Sequence, residues 1–318
     1  MSSGRAKTIL ITSASGRTSL HVIAALLSRL PSLSPAPSIR LLVHSESSVK
    51  TVTESLASLP FGSSSFVASF VVADYLDYSS LPPAFKNVDI IFYNGPAFHP
   101  NETAMGINAV NAAKETGVKH FVYCSVLHPY LSKLLNHKAK LGVEEYLTES
   151  SLPYTILQPT SLMQNFPLPR LLDSPPSAPV LLDCPYSPTT LQGFLYLPDL
   201  AEIAANILLD PEPHVFASYP LVGENISLHS VADVIKEETA RPVQCLTLDR
   251  EQAKKEWGEK GARMYGEALR EWSAEAWERM VWYYDKRGIP GNSNITRWLL
   301  GREPTTWRMW LKSLQSGS

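Results

Sequence analysis

The chain, 318 residues long, predicts an α/β fold: a doubly wound parallel sheet followed by a smaller, mainly helical C-terminal cap. Three observations predict it. Short apolar, β-branched runs alternate with stretches of helical spacing through the first half. A loop of small residues, Ser13 to Ser19, joins the first such run to the first helix. All seven tryptophans lie between Trp257 and Trp310, in a region whose spacing is helical.

Ile9-Leu10-Ile11 is short and β-branched, as a buried parallel strand should be. Leu20 to Leu30 switches to helical spacing, with Leu20, Ile23, Ala24, Leu27 and Leu30 on one face. Further strands are expected at Ile39–Val43, Phe66–Ala73, Val88–Tyr93 and His120–Ser125. Ala104–Thr116 reads as a helix ended by Gly117, and a second helix spans about Ser132 to Glu149. Leu152-Pro153 introduces a sixth strand, Tyr154–Gln158. Residues 167–198 hold eight prolines, which predicts an irregular loop or lid. Asp199–Leu209 returns as a helix with Asp199 as its N-cap. The cap then reads as helices at Arg250–Trp257, Arg263–Tyr284 and beyond Pro304. Residues 1–160, with about 195–210, form the expected Rossmann-type domain. Residues 161–194 and 211–318 form the cap.

With 44% hydrophobic and 18% charged residues the composition is globular, and the net charge of −2 gives no footprint for nucleic acid or an anionic membrane. No run approaches a membrane span or a signal-peptide core. Cys124, Cys184 and Cys245 are odd in number and widely spaced, which fits reduced thiols and neither a disulfide frame nor a metal site. A cytoplasmic protein with a small-molecule ligand is expected.

The strand–loop–helix junction aims backbone N–H groups and a helix N-terminus at one spot, as a phosphate requires. Ser13, Ser15, Gly16, Arg17 and Thr18 are therefore expected to hold a dinucleotide. Of the three positions normally glycine (Ser13, Gly16, Ser19), only the middle one is. A left-handed Ser13 costs about 1–2 kcal/mol, or roughly ten-fold in affinity. After strand two, His44, Ser45, Ser47 and Lys50, with Arg17, make a better pocket for a 2′-phosphate than for a ribose diol, so NADP is preferred over NAD. Asp74 is placed either to take the adenine amino group or to cap the turn before Ser79. Asn94-Gly95-Pro96 and Pro159 would pass the cofactor through backbone.

Gly117-Val118-Lys119-His120-Phe121-Val122-Tyr123-Cys124-Ser125-Val126 opens a series of matches. Lys140 with Val143-Glu144-Glu145-Tyr146-Leu147, and then Leu152 to Pro159, continue it. Asp199-Leu200-Ala201 and Trp298-Leu299-Leu300-Gly301-Arg302-Glu303-Pro304-Thr305-Thr306 follow in order. Together they resemble the NmrA-like branch of the atypical short-chain dehydrogenase/reductases. The resemblance implies a Rossmann-type domain, an NAD(P) site and a substrate cap. It also implies a choice of roles: NAD(P)H reductases, tailoring enzymes of fungal secondary metabolism, and regulators that bind dinucleotide without turnover.

The broader superfamily places a tyrosine four residues before a lysine, on one helix face. Lys140 matches the lysine, but Asn136 stands at the tyrosine position and cannot donate a proton. Loss of such an acid is worth about 10²–10⁴ in rate. His137 is turned from that face by about 100° and reads as a surface residue. Ser125 is expected at the substrate, with His128, Gln164, Asn165 and Phe166. Tyr123 should face the core. Trp272, Trp277 and Trp282 cannot share one face, so at least one should be partly exposed or in the cleft. The expected activity is NADP(H)-linked reduction of a small aromatic or polycyclic carbonyl, enone or imine. Alternatives are a non-catalytic dinucleotide sensor with a protein partner, and a cofactor-independent isomerase or cyclase.

Overall fold

The computed structural model describes residues 6–57, 67–173, 175 and 178–316. Its twelve strands are β1 Thr8–Ile11, β2 Ser38–Val43, β3 Val67–Val72, β4 Ile90–Tyr93, β5 His120–Cys124, β6 Tyr154–Pro159, β7 Ser161–Leu162, β8 Val180–Cys184, β9 Gln192–Leu195, β10 Ala217–Leu221, β11 Glu224–Ile226 and β12 Val243–Thr247. The α-helices are α1 Arg17–Leu27, α2 Glu46–Ala57, α3 Leu81–Phe85, α4 Glu102–Glu115, α5 Leu135–Glu149 and α6 Leu168–Leu172. They continue as α7 Leu197–Leu209, α8 Leu228–Thr239, α9 Arg250–Tyr265, α10 Arg270–Arg287, α11 Asn294–Leu300 and α12 Trp307–Ser316.

Seven strands form one sheet in the order β10-β6-β5-β4-β1-β2-β3, parallel throughout. The chain winds outward through β2 and β3, then returns to build β4, β5 and β6 on the other side of β1. The direction of winding thus reverses between β1 and β4, where α/β sheets bind ligands. One sheet face is covered by α1, α2 and α7 through Ile9, Val22, Leu26, Val52 and Ile203. The other is covered by α3, α4 and α5 through Phe85, Ala109, Phe121, Tyr123 and Val143. A third core lies in the C-terminal region, among β8, β9, α8, α10 and α12. Gly117 takes φ +74° and ends α4, the left-handed stop that glycine allows.

Several boundaries move, each for a visible reason. Phe66, expected in strand three, lies outside the described residues. The first helix starts at Arg17, not Leu20, because Gly16 is already its extended N-cap. The proline-rich segment is not an irregular loop: it contributes α6, β8 and β9, with β8 pairing β12 and β9 pairing β7 and β11. The expected break between cap helices at Trp257–Arg263 is absent. Gly258 and Gly261 lie inside α9, where a Cβ would press on Arg270 and Ala274 or collide with Ser273 of α10. These glycines serve close helix approach, and the chain turns instead at Gly266, φ +101°. Trp277 is buried, whereas Trp282 is 58% exposed.

Asp199 does not cap α7. Pro198 precedes it in the first turn, and Tyr196 occupies the N-cap. The buried carboxylate instead accepts from Thr305 N at 2.6 Å, Thr305 Oγ1 at 3.0 Å and Arg302 at 2.9 Å. It thereby ties the tail to α7. Asp199→Ala leaves the half-buried Thr305 amide unpaired and loses a charge-assisted bond, so urea titration should show a loss of about 1–3 kcal/mol.

Candidate active site

The carboxyl ends of β1, β4, β5 and β6 meet one cleft. Below β1, Ser13 adopts φ +47°, the strained left-handed conformation expected of it, and Gly16 N donates to Ser13 O at 2.8 Å. A Cβ at Gly16 would sit 3.1 Å from that carbonyl, which explains why this glycine is kept. The first bond inside α1 runs from Leu20 N to Gly16 O. The amides of Arg17, Thr18 and Ser19 therefore precede any helical acceptor and carry the positive end of the dipole.

The two serines replace glycine in different ways. Ser13 N donates to Tyr75 Oη at 3.2 Å, so this amide is engaged by protein. Ser19 is fully buried: its Oγ donates to Thr12 O at 2.9 Å and accepts from Asn94 Nδ2 at 3.3 Å. The hydroxyl thus ties helix to strand where a glycine would merely let them approach. Asn94 N donates to Thr12 Oγ1 at 2.9 Å, fixing the turn after β4 against β1. At Gly95 a Cβ would come within 2.9 Å of Tyr93 Oη. These features fit a dinucleotide whose diphosphate lies over α1 and whose remainder runs past Asn94-Gly95-Pro96.

The expected 2′-phosphate pocket is not assembled in full. Arg17 reaches the other way, donating to Gln164 O at 2.8 Å and Asn165 Oδ1 at 2.5 Å. Lys50 points along α2 to Glu54 at 3.8 Å and is largely exposed. His44 is exposed, and Ser45 Oγ bonds Ser47 and Ser48 hydroxyls. Asp74 accepts from Leu76 N at 2.9 Å, while Asp77 takes the amide of Ser79.

Lys140 is buried, its Nζ 2.7 Å from Glu102 Oε1 and over the Tyr123 ring at 5.9 Å. Burial works against the ammonium, but Glu102 outweighs it and holds the Lys140 pKa above its ordinary value. Burial pushes the Glu102 carboxyl upward, against the pull of Lys140. The hydroxyls of Tyr93 and Tyr123, beside this pair, are buried without a partner, and burial raises both pKa values well above 10.

Position 136 supplies no acid. Asn136 is buried against α10, its Nδ2 3.6 Å from Met280 Sδ and its Oδ1 unpartnered. Ser125 is turned inward, contrary to its expected place at the substrate. Its hydroxyl donates to Glu144, whose two oxygens also accept from Gln158 Nε2 at 3.0 and 2.9 Å. The alternation of β5 and β6 puts Ser125 and Gln158 on the α5 face, which forces this arrangement. Phe166, also expected at the substrate, packs edge-on to Phe194 and Trp307. Gln164 Oε1 accepts from Leu197 N at 2.9 Å at the start of α7. Pro159 is buried in β6.

His137 is no surface residue. It is fully buried, with Nδ1 donating to His128 O at 3.0 Å and Nε2 accepting from Tyr284 Oη at 3.1 Å. Burial takes its pKa down to about 4. His128, φ +54°, is pinned by Pro290 O at 3.2 Å and Tyr130 Oη at 2.7 Å. Sequence reasoning missed Tyr75, His99, Glu102 and the α9 side chains Lys260 and Tyr265. Tyr75, His99, Glu102 and Tyr265 make contacts whose partners lie far along the chain, and no local signal marks them.

The sheet and the reversal between β1 and β4, with the cradle at α1, define a Rossmann-type fold with a cleft at its switch point. The chain belongs to the NmrA-like family, whose model matches residues 5–275. It is 26% identical over 196 residues to the NAD(P)H azoreductase of Xenophilus azovorans, covering 57% of this chain and 62% of that protein. The match thus spans just under two thirds of the relative's length. Among solved structures, triphenylmethane reductase of Citrobacter sp. with NADP(H) superposes with a TM-score of 0.72 at 20% identity, over 96% of this chain and 99% of that one. NmrA, a negative transcriptional regulator in complex with NAD, gives 0.65 at 17% identity over 99% of both chains. Among the described residues, no helix is long and apolar enough to cross a membrane.

Two outcomes follow from the burial. His120, buried and bonded to Thr155 Oγ1 at 2.8 Å, also has its pKa lowered to about 4 by burial. Both histidines are neutral in the folded chain, so the unfolded chain takes up more protons between pH 6.5 and 4. Stability should fall across that window on acidification, by up to about 3 kcal/mol per histidine. Denaturant midpoints against pH should flatten in His137→Asn. Lys140→Met alone strands the Glu102 carboxylate and should cost about 3–5 kcal/mol; adding Glu102→Gln should restore most of the loss in thermal melts.

Proposed function

We propose that the protein is an NAD(P)H-dependent oxidoreductase that reduces a small conjugated acceptor: a quinone, azo compound, enone, imine or cationic dye on an aromatic or polycyclic frame. A product of fungal secondary metabolism fits that description. The observation that carries the reading is the buried, charged Lys140 at the cleft beside the α1 cradle, with no proton donor at position 136.

When bound, a nicotinamide dinucleotide supplies hydride. The amides of Arg17, Thr18 and Ser19 and the backbone of Asn94-Gly95-Pro96 hold it. Lys140, kept ionised by Glu102, stabilises negative charge arriving on the acceptor. Asn136 offers only an amide, and the Ser125 hydrogen is committed to Glu144. The acceptor must therefore spread the incoming charge over its own π-system and take its proton from water. The azoreductase and triphenylmethane reductase relatives act on or are named for acceptors of this kind, which supports the reading. NADP(H) is the preferred form here, on the hydroxyl cluster of Ser45, Ser47 and Ser48 beside His44.

The missing acid and the NAD-bound regulator among the structural neighbours favour a second reading, a dinucleotide sensor with a protein partner. Calorimetry with NADPH and NADH, followed by quinone, azo, triphenylmethane and enone panels, separates the two. Reduction of one class with stoichiometric loss of NADPH absorbance is expected. Tight binding with no turnover across the panels would overturn the enzyme reading in favour of the sensor. The Lys140→Met/Glu102→Gln chain should lose about 100-fold in turnover.

A further inference from the structure

α9 lies across the rim of the cleft. Trp257 packs on Phe98 with ring centroids 5.4 Å apart. Just over two turns on, Tyr265 donates to Ala97 O at 2.7 Å and meets His99 edge-to-face at 4.9 Å. Both therefore touch the segment after β4, where the fold brings a dinucleotide. Lys260 stands between them, its Nζ 4.2 Å from the Trp257 ring centroid.

The charges here are unmatched. Among the described residues, Arg17, Lys260 and Arg263 form no ion pair, whereas Lys254 of the same helix pairs with Glu278 at 2.7 Å. Arg17 spends its donors on the neutral acceptors Gln164 O and Asn165 Oδ1. Burial lowers the Lys260 pKa first, and the nearby charges of Arg17 and Arg263 lower it further. Like charges gathered without an anion repel, and the amino end of α1 adds to the same positive field. His99 adds a donor. It is 7% exposed, and its Nδ1 accepts from Asn101 N at 3.0 Å, so Nε2 keeps the hydrogen and finds no protein acceptor among the described residues.

We propose that α9 completes the cofactor site, with Lys260, beside Arg17 and Arg263, binding the diphosphate of the nicotinamide dinucleotide above the amino end of α1. The inference rests on the dinucleotide reading given above and assigns part of the binding surface to the C-terminal region. It gives the serine-substituted loop a compensation. The Ser13 amide is engaged by Tyr75, and a lysine from α9 offsets the contact that amide would have made.

The test titrates NADPH and NADH into the full chain and into Lys260→Ala, Lys260→Gln and Lys255→Ala, by calorimetry and by tryptophan emission. Lys255 is on the same helix and, like Lys260, exposed. Lys260→Ala and Lys260→Gln should each bind both dinucleotides about ten-fold more weakly, with a shallower salt dependence. The ligand-induced change in total tryptophan emission should shrink, and Lys255→Ala should match the unmodified chain. Thermal melts without nucleotide check that each variant is folded, and Lys260→Gln keeps packing on Trp257 should the alanine variant fail. Equal affinity of a folded Lys260 variant and the unmodified chain would overturn the proposal alone. So would a loss confined to NADPH, which would put the lysine at the 2′-phosphate. An unmodified chain that binds neither dinucleotide would overturn the cofactor reading with it.

Discussion

Seven strands running one way place all their carboxyl ends along a single edge, and the reversal between β1 and β4 opens that edge into a cleft. Much of the site follows from this constraint. It sets the amino end of α1 beside the turn after β4 and brings Ser125 and Gln158 onto one face. It also sets α4 and α5 side by side on one face of the sheet so that Glu102 reaches Lys140. Gly106 permits that meeting, since a Cβ there would collide with Val143.

The electrostatics of the cleft are lopsided. Its carboxylates are spent internally: Glu102 on Lys140, Glu144 on Ser125 and Gln158. Its cations are not, apart from Lys140. Arg17, Lys260 and Arg263 are exposed at its rim, while the carboxylates are turned inward. The chemistry is thereby narrowed by what the side chains are already bonded to, more than by which side chains are present.

The strands that carry the cleft were legible because buried parallel strands are short apolar runs, and Gly117 and Ser13 were legible because left-handed backbone needs few residue types. β10 was not: Ser218 and Pro220 interrupt its pattern, which an edge strand tolerates and a central one does not. Gly258 and Gly261 looked like a helix break because local propensity cannot see Ser273 across the seam. His137 looked exposed by helical phase, yet Tyr284 and the His128 carbonyl enclose it. Ser125 and Arg17 were found by position but not in their partners, since Glu144, Gln164 and Asn165 are brought to them only by the tertiary fold.

The glycine seam between α9 and α10 has a mechanical consequence. Any side chain at Gly261 would collide with Ser273, so the two helices pack this closely only because that position lacks a Cβ. The spacing set by that seam fixes how far α9 reaches over the segment after β4, where Trp257 meets Phe98 and Tyr265 meets Ala97.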